Sequence, residues 1–522
     1  MGKATLLRTA RVLVSVTSFS LLMCLFADFG MRIPQIASWL AKIQLLPAAM
    51  GFAITTFITW LLITLVFGRI YCSSVCPLGV FQDICARLPR LGRLKPRWHY
   101  HYSAPMTRLR RIMLFIVALS IVLGISTVTT LLDPYSIFGR FSAEIVRPAW
   151  GTVLNIWNDI NSYPPVRIGI ASMLGAAISI VTMFIVGALA FRNGRTFCNT
   201  VCPVGTTLSF ISQYSIFRID INTDKCVQCR KCEHVCKASC IDLTSHVVDT
   251  SRCVVCFDCL SDCPNDAIHY TYTRHQLSIP LMQRVKNPIA GQTAGMSGQS
   301  MDMRGGETSS EKNDGRTALR LDRRRFLSLG LVAASAPLVA EAGKIAARID
   351  DFTAPRSHRN LLPVTPPGVR TRREFLDRCT GCGLCVDRCP QEVLKVSLDE
   401  YGLLRALHPV MDFDASWCVY DCTVCSNLCP TGALNPLTLS EKHRTRIGLA
   451  HADRSVCISY TQGVKCGACS RRCPVGAISM AEPDAGGRGP YPVVDPQKCI
   501  GCGSCQYVCP SQPKAIKVGG IS

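Results

Sequence analysis

The first two hundred residues alternate between long apolar runs and polar connections. Four runs, residues 12–27, 43–68, 112–132 and 168–191, contain no charged side chain. An α-helix needs about 20 apolar residues to cross the hydrocarbon core of a bilayer. The pattern therefore predicts an α-helical membrane domain with four transmembrane helices within residues 1–215, of which the first run is the shortest.

Charged residues are distributed unevenly between these runs. The connection of residues 69–111 carries nine basic residues and one acidic residue, whereas residues 133–166 carry two basic and three acidic residues. Because cytoplasmic connections are enriched in Lys and Arg, we expect the N-terminus, residues 69–111 and the chain after Arg192 to be cytoplasmic. Core helices of a water-soluble protein would not explain this asymmetry. Aromatic side chains suited to the outer membrane interface are Trp39, Trp150, Trp157 and Tyr163.

Shorter segments of mixed composition follow the apolar part. Residues 216–273 and 343–522 hold cysteine motifs followed by short β-branched stretches such as residues 393–396 and 515–518. These features predict small α+β domains of the bacterial ferredoxin type. Between them, residues 274–321 are rich in Gly, Ser, Gln, Met and Asn, a composition typical of a flexible linker.

A distinct segment spans residues 322–342. Consecutive arginines followed by Phe and Leu occupy residues 323–327, and an apolar run continues to Ala340. This order is typical of a twin-arginine export signal, with Ala340 and Ala342 as a small-residue cleavage site. The alternative is a basic stretch before an ordinary amphipathic helix. With a signal here, we expect residues 343–522 to be exported already folded, and so to be periplasmic.

Composition narrows the class of protein. The chain has 522 residues, 31 cysteines and a net charge of +22, and its mean hydropathy is +0.24. The basic residues flank apolar runs instead of forming one recognition surface, so we expect no nucleic-acid partner. Many cysteines indicate either a disulfide scaffold or bound metal. Their regular spacing favours bound metal.

Twenty-four cysteines form six groups of four with close spacing. The two groups in the first cysteine-rich region are Cys226, Cys229, Cys232 and Cys236, then Cys253, Cys256, Cys259 and Cys263. The four groups in the second region are Cys379, Cys382, Cys385 and Cys389; Cys418, Cys422, Cys425 and Cys429; Cys457, Cys466, Cys469 and Cys473; and Cys499, Cys502, Cys505 and Cys509. Five groups end in Cys-Pro, and Lys237 replaces the proline in the other.

Such groups are typical of 4Fe–4S clusters, in which three close thiolates and one distant thiolate bind the iron atoms. We therefore predict about six 4Fe–4S clusters with these 24 cysteines as iron ligands. In the first region, crossed ligation gives Cys263 to the first group and Cys236 to the second, although Cys240 lies near Cys236. In the second region, the first group pairs with either the second or the fourth. Zinc, the alternative metal, usually binds two separated Cys-x-x-Cys pairs.

A different cysteine motif occurs twice. Residues 68–79 and 194–205 both read Gly-Arg-x-aromatic-Cys-x-x-x-Cys-Pro-x-Gly. We call the two copies the paired motif, and its thiols are Cys72, Cys76, Cys198 and Cys202. These thiols are candidate redox or quinol-site residues, and they could also bind a metal or cycle as a disulfide. In the alternative interpretation, Gly and Pro shape the helix exit and the thiols are incidental.

Several other redox motifs are missing from the sequence. It contains no Cys-x-x-Cys-His motif for haem c, no histidine in the four apolar runs and no nucleotide-binding fingerprint. The chain is therefore expected to transfer electrons without a terminal catalytic centre.

These motifs resemble two known families. The paired motif, four apolar runs and the first cysteine-rich region are similar to the NapH/MauN-type membrane iron–sulfur subunits over residues 1–270. The twin-arginine segment and the last four groups resemble the NapG/MauM-type periplasmic ferredoxins over residues 322–522. The resemblance implies quinol oxidation and electron supply to a periplasmic reductase, such as nitrate reductase. The chain departs from the families in being a fusion and in Lys237.

The function expected from the sequence is electron transfer from quinol through a multi-pass protein of the inner membrane. Its partners would be the membrane, the quinone pool and a periplasmic reductase or cytochrome. About 30 Å of hydrocarbon would separate the two cysteine-rich regions without a haem between them, so a mobile quinone or a partner subunit would have to connect them. The alternative function is maturation or metal-centre assembly of a respiratory enzyme.

Overall fold

The computed structural model describes residues 3–27, 35–91, 99–166, 168, 173–272, 361–484 and 486–521. The predicted linker, residues 274–321, and the predicted export signal, residues 322–342, lie outside the described residues.

The described residues up to Ser212 form a helical domain. Its helices are α1 (Lys3–Ala27), α2 (Gln35–Lys42), α3 (Leu45–Met50), α4 (Ile54–Phe67), α5 (Ile70–Ser74), α6 (Pro77–Leu91), α7 (Thr107–Val122), α8 (Ser126–Leu132), α9 (Pro134–Phe141), a π-helical turn (Ser142–Val146), α10 (Arg147–Ile160), α11 (Met173–Asn193), α12 (Thr196–Thr200) and α13 (Pro203–Ser212).

The prediction of four transmembrane helices is only partly supported. Among the described residues, α1 and α11 are the two helices long and apolar enough to cross a bilayer. The apolar run of residues 43–68 is interrupted after α3, where Phe52 has a φ of 54°. The run of residues 112–132 is interrupted at Gly124, whose φ is 71°. Each interruption is a left-handed residue that ends a helix, and the hydropathy pattern did not reveal either one.

Helix α1 is longer than its uncharged run predicted. It begins at Lys3 and has 25 residues, because its basic side chains find acidic partners. Arg11 forms a buried ion pair with Asp83 of α6, and Arg8 pairs with Asp258 at 3.1 Å. Paired charges of this kind let the helix continue beyond its apolar part.

The two copies of the paired motif fold in the same way. In each, a long apolar helix ends at a glycine with positive φ, Gly68 (77°) or Gly194 (69°). A five-residue helix holding the first cysteine follows, and the proline after the second cysteine opens the next helix. Glycine just past a helix end and proline at a helix start are the preferred residues for these positions.

The first cysteine-rich region, residues 218–271, is a small α+β unit. Its first and last strands pair antiparallel, with Arg218 opposite Thr271, and its two inner strands pair with Ile241 opposite Val248. The elements are β1 (Arg218–Ile221), α14 (Lys231–Val235), β2 (Ile241–Asp242), β3 (Val247–Val248), α15 (Asp258–Asp262) and β4 (Ile268–Thr271).

The second cysteine-rich region, residues 361–521, contains three two-stranded antiparallel sheets, β5–β6, β8–β9 and β7–β10. Its elements are α16 (Arg372–Arg378), α17 (Leu384–Asp387), β5 (Leu394–Val396), a 3-10 turn (Leu403–Arg405), β6 (Pro409–Met411), α18 (Val424–Leu428), α19 (Leu439–Arg444), β7 (Leu449–Ala452), a 3-10 turn (Arg454–Val456), α20 (Ile458–Gln462), α21 (Ala468–Arg472), β8 (Ile478–Ala481), β9 (Tyr491–Val494), α22 (Ser504–Val508) and β10 (Ile516–Gly519).

The two cysteine-rich regions contact opposite ends of α1. Near its start, Arg8 donates a hydrogen bond to Ser261 of the first region at 2.9 Å. Near its end, the carbonyl of Leu25 accepts one from Arg388 of the second region at 3.3 Å. Seventeen helical residues rise roughly 26 Å. The helical domain therefore lies between the two regions.

Candidate iron–sulfur centres and the paired motif

The first group of the first region surrounds a cavity together with a cysteine from the second group. Cys226, Cys229, Cys232 and Cys263 line it, with Pro264 and apolar residues around them. Gln228 and Arg230 adopt left-handed backbone conformations, with φ values of 51° and 59°, which turn the loop between the cysteines around the cavity. The arrangement agrees with crossed ligation.

The second group of the first region has two candidates for its distant ligand. The thiols that interact electrostatically with Cys259 are those of Cys256, Cys253, Cys236 and Cys232. The Cys240 sulfur also lies 3.5 Å from the Cys236 sulfur. A hydrogen bond from Cys240 lowers the pKa of the Cys236 thiol, whereas the same contact raises the pKa of Cys240. Because Cys236 is itself among the thiols that act on Cys259, it stays the expected fourth ligand, and Cys240 is the neighbouring alternative.

Lys237 has a structural role that the sequence did not indicate. Its side chain is buried, and its ammonium lies 2.8 Å from Asp258 and 3.7 Å from Asp83. It therefore joins the first cysteine-rich region to α6 of the helical domain. The missing proline is replaced by an electrostatic contact between domains.

The structure resolves the pairing of groups in the second region. One cavity is lined by Cys389 with Cys418, Cys422 and Cys425, and another by Cys473 with Cys499, Cys502 and Cys505. The ligand sets of the other two clusters follow from the thiols that interact electrostatically with Cys385 and with Cys469. Cys385 interacts with Cys379, Cys382, Cys429 and Cys425, and Cys469 with Cys466, Cys509 and Cys457. The first group thus pairs with the second, and the third with the fourth.

Burial raises the pKa of several of these thiols. Desolvation is the main cause, and it raises the pKa of Cys256 and Cys382 to about 12 and that of Cys418 to about 11. Iron must therefore displace protons that the protein alone would retain, so that cluster binding releases them. Backbone N–H groups also point at sulfur, as from Ala267 to Cys263 and from Ala477 to Cys473, both at 3.3 Å. Such bonds stabilise a thiolate and tune the reduction potential of a bound cluster.

The described residues offer no site for a single metal ion, since no three His, Cys, Asp or Glu side chains come close enough together. The quartet thiols instead line the walls of cavities. This arrangement fits a multi-iron cluster, which would occupy the space between four thiolates and supply a one-electron redox couple.

The two copies of the paired motif interlock in the core of the helical domain. Arg195 donates a hydrogen bond to the Cys72 carbonyl at 2.6 Å, and Arg69 donates one to the Cys198 carbonyl at 3.3 Å. A Cβ atom on Gly79 would lie 2.2 Å from the Cys72 oxygen. A Cβ atom on Gly205 would lie 2.2 Å from the equivalent oxygen of Cys198. Each copy therefore uses its arginine to hold the other copy, and its glycine to allow close approach.

A buried ion-pair network lies beside the paired motif. Asp83 contacts Arg11, Arg195 and Lys237. Burial alone would raise the pKa of the Asp83 carboxyl, but these three cations hold the pKa well below its usual range. The network connects α1, α6, the second copy of the motif and the first cysteine-rich region. The repeated Gly-Arg of the motif was the sequence signal for Arg195, whereas no motif pointed to Arg11.

The first group of the second region lies against the other end of the helical domain. Arg140 of α9 donates hydrogen bonds to the carbonyls of Thr130 at 2.9 Å and Gly381 at 3.4 Å. A Cβ atom on Gly139 would lie 2.4 Å from the Cys382 oxygen. Of the four groups in this region, the group containing Cys382 therefore lies directly at the interface.

Two families described as iron–sulfur domains match parts of the chain. The family described as a "4Fe-4S dicluster domain" matches residues 378–433 and 464–512. The family described as a "4Fe-4S binding domain" matches residues 49–97, 174–222 and 423–446. The first family covers the four groups of the second region except Cys457, and the second family covers both copies of the paired motif.

Several curated relatives are ferredoxin-type proteins. The chain is 32% identical to "Ferredoxin-type protein NapG" of Escherichia coli over 207 residues, which are 38% of this chain and 86% of the relative. It is 35% identical to the methylamine utilization ferredoxin-type protein MauM of Methylobacillus flagellatus over 159 residues, 29% of this chain and 66% of the relative. For MauM of Methylophilus methylotrophus the values are 34% over 168 residues, 31% and 73%.

No solved structure matches the chain. The relatives confirm the NapG/MauM part of the resemblance expected from the sequence, and its NapH/MauN part stays a prediction.

Proposed function

Since the chain belongs to the NapG/MauM family of ferredoxin-type proteins and is an iron–sulfur electron-transfer protein, we propose that it carries electrons from quinol across a membrane to a periplasmic acceptor. The observation that carries this proposal is the placement of the cysteine-rich regions against opposite ends of α1. Electrons entering at the helical domain can then leave through a region on the far side.

The surface of the helical domain supports membrane insertion. Large apolar side chains are exposed on several of its long helices, including Leu13 of α1, Ile58 of α4, Phe115 of α7 and Phe184 of α11. Water would make so much exposed apolar surface unfavourable, whereas lipid would cover it. The aromatic residues expected at the outer interface, Trp39, Trp150, Trp157 and Tyr163, are exposed as well. The four apolar runs would then cross the bilayer, two of them as interrupted helices.

The proposed cofactors are six 4Fe–4S clusters held by the crossed sets of cysteines described above. Quinol would bind in the helical domain beside the paired motif. Oxidation of one quinol releases two protons and two electrons, and each electron reduces one cluster. The quinone then leaves, and the electrons pass to a periplasmic reductase or cytochrome.

This function can be tested on the full chain, purified without oxygen in detergent. A soluble quinol analogue should bleach the visible absorption of the oxidised clusters, and dithionite should bleach the remainder. If dithionite reduces the clusters and the quinol analogue reduces none, the quinol-linked role is wrong. A reporter active only in the cytoplasm, fused after Ser522, should be inactive; activity would contradict a periplasmic second region.

A second candidate function rests on the four motif thiols, which lie outside the six quartets. Thiols of this kind could deliver metal to a respiratory enzyme during its maturation. Deleting the gene would then leave the partner enzyme present but lacking metal. Normal metal content in that enzyme would exclude this role.

A further inference from the structure

The four thiols of the paired motif converge at one place. The thiol of Cys202 interacts electrostatically with those of Cys198, Cys76 and Cys72, and that of Cys76 with those of Cys198 and Cys72. All four cysteines are 3% exposed. Residues separated by more than 120 positions in the sequence therefore form one buried set of four sulfurs, which are spaced too widely to bind a single metal ion.

Arg69 brings a buried positive charge to this place. Its side chain is completely buried, and the ion pairs of the described residues give it no carboxylate partner. It donates instead to Asn199 and to the Ser251 carbonyl, both at 3.0 Å, and it lies 3.8 Å from the Cys72 sulfur. A buried charge without a counter-ion is strongly unfavourable. A thiolate-bound cluster would supply the negative charge.

Hydrogen-bond donors are directed at the sulfurs. The Gln82 amide donates to the Cys198 sulfur at 3.1 Å, and the Gly205 N–H donates to the Cys202 sulfur at 3.3 Å. The quartet cysteines Cys263 and Cys473 accept the same kind of bond. The motif thiols thus accept the same kind of hydrogen bond as the proposed cluster ligands.

The position of these thiols suits an electron relay. Cys72 lies in the same apolar core as Cys256 of the first cysteine-rich region and Cys382 of the second. The core is continuous between the two regions, which contact α1 roughly 26 Å apart. A redox centre at the motif would divide one long transfer into two shorter steps.

The family described as a "4Fe-4S binding domain" matches both copies of the paired motif. We propose that Cys72, Cys76, Cys198 and Cys202 do not serve one cluster per copy but together bind a single additional iron–sulfur cluster, shared between the two copies. This site rests on the proposed electron-transfer function and adds a seventh centre between the two cysteine-rich regions. Iron–sulfur clusters with four cysteine ligands contain either two or four iron atoms.

The first test measures iron and acid-labile sulfide in the full chain. One double variant replaces Cys72 and Cys76 with serine, the other replaces Cys198 and Cys202, and a quadruple variant combines them. A shared cluster predicts that the two double variants lose equal amounts of iron, about two or about four atoms. The quadruple variant should lose no more than either of them. Additive losses, or no loss, would overturn the shared site.

The matched control replaces Cys24 and Cys85, which belong to no quartet, with serine and should keep all the iron. Zinc in the purified wild-type protein in place of the additional iron would also overturn the proposal. These measurements need no quinol. A protein that shows the iron loss but ignores quinol would therefore refute the proposed function alone.

A milder variant covers the case in which the serine variants do not fold. Gln82→Leu keeps a similar side-chain volume but removes the amide that donates to the Cys198 sulfur. The control is Gln213→Leu, because the amide of Gln213 donates to the Ser209 carbonyl and not to a sulfur. Losing a hydrogen bond to a ligand sulfur lowers the reduction potential of that cluster. In a redox titration followed by electron paramagnetic resonance, Gln82→Leu should move one transition to lower potential, and Gln213→Leu none. If Gln82→Leu moves no transition, the site holds no cluster.

Discussion

The two cysteine-rich regions are attached to the helical domain by different kinds of contact. The first is joined through buried charges, with Lys237 bridging Asp258 and Asp83. The second is joined largely through backbone carbonyls and close packing, as between Arg388 and Leu25 or between Gly139 and Cys382, with a single ion pair, from Arg147 to Asp387 at 3.5 Å, among the described residues. The first region is therefore held to the helical domain mainly by charge and the second mainly by close fit, while both contribute side chains, such as Val254 and Cys382, to one apolar core.

The largest expected effect is the loss of electron transfer between the helical domain and the second cysteine-rich region. Cys382→Ser should remove about four iron atoms and leave the other clusters of the second region oxidised when quinol is added, because this group lies at the interface. Cys505→Ser should remove as much iron without isolating the remaining clusters. Iron analysis and visible spectra measure both results. Equal reduction in the two variants would mean that electrons do not pass through the interface group.

The next effect tests the buried charges of the first region. Lys237→Met leaves Asp83 and Asp258 without a shared cation, and breaking a buried ion pair costs about 3–5 kcal/mol. We expect a large fall in the free energy of unfolding, measured by denaturant titration in detergent. Lys225→Met, at an exposed position, is the control and should change little. Equal stability of the two variants would show that the network does not join the domains.

A smaller effect tests the packing of the second region. Gly139→Ala would place a methyl group 2.4 Å from the Cys382 oxygen and 3.1 Å from Phe26, and overpacking typically costs about 1–3 kcal/mol. Hydrogen exchange should increase at the contact on both sides. Gly187→Ala, whose methyl group would have ordinary contacts at 3.6 Å, should leave exchange unchanged. Unchanged exchange in Gly139→Ala would argue against this interface.

The smallest effect concerns a polar contact at the rim of the same interface. The Thr127 hydroxyl donates to the Leu403 carbonyl at 2.9 Å and accepts from the Ala406 N–H at 3.0 Å. Thr127→Val removes both bonds, and we expect a loss of about 0.5–1.5 kcal/mol. The rate of hydrogen exchange at the Ala406 N–H measures this loss of stability. Thr127→Ser keeps the hydroxyl and should behave as the wild type; if it loses as much as the valine variant, the methyl packing matters instead.

The interruptions of the apolar runs and the role of Lys237 show what the sequence could not reveal. Hydropathy reports the composition of a run, but a single left-handed residue such as Gly124 ends a helix without changing that composition. Lys237 was visible as a departure from Cys-Pro, yet its partner Asp83 lies more than 150 positions earlier. Both features depend on the neighbours of a residue in space.

The sequence by itself determined the groups of thiols, because the ligands of one cluster lie mostly within one short loop and their spacing is local. It likewise determined crossed ligation as the expected rule in the first cysteine-rich region. Only the tertiary structure decided which groups of the second region pair, and that the two copies of the paired motif meet around Arg69 and Arg195. Those arrangements depend on contacts between distant segments, which packing and buried charge select and which no local pattern encodes.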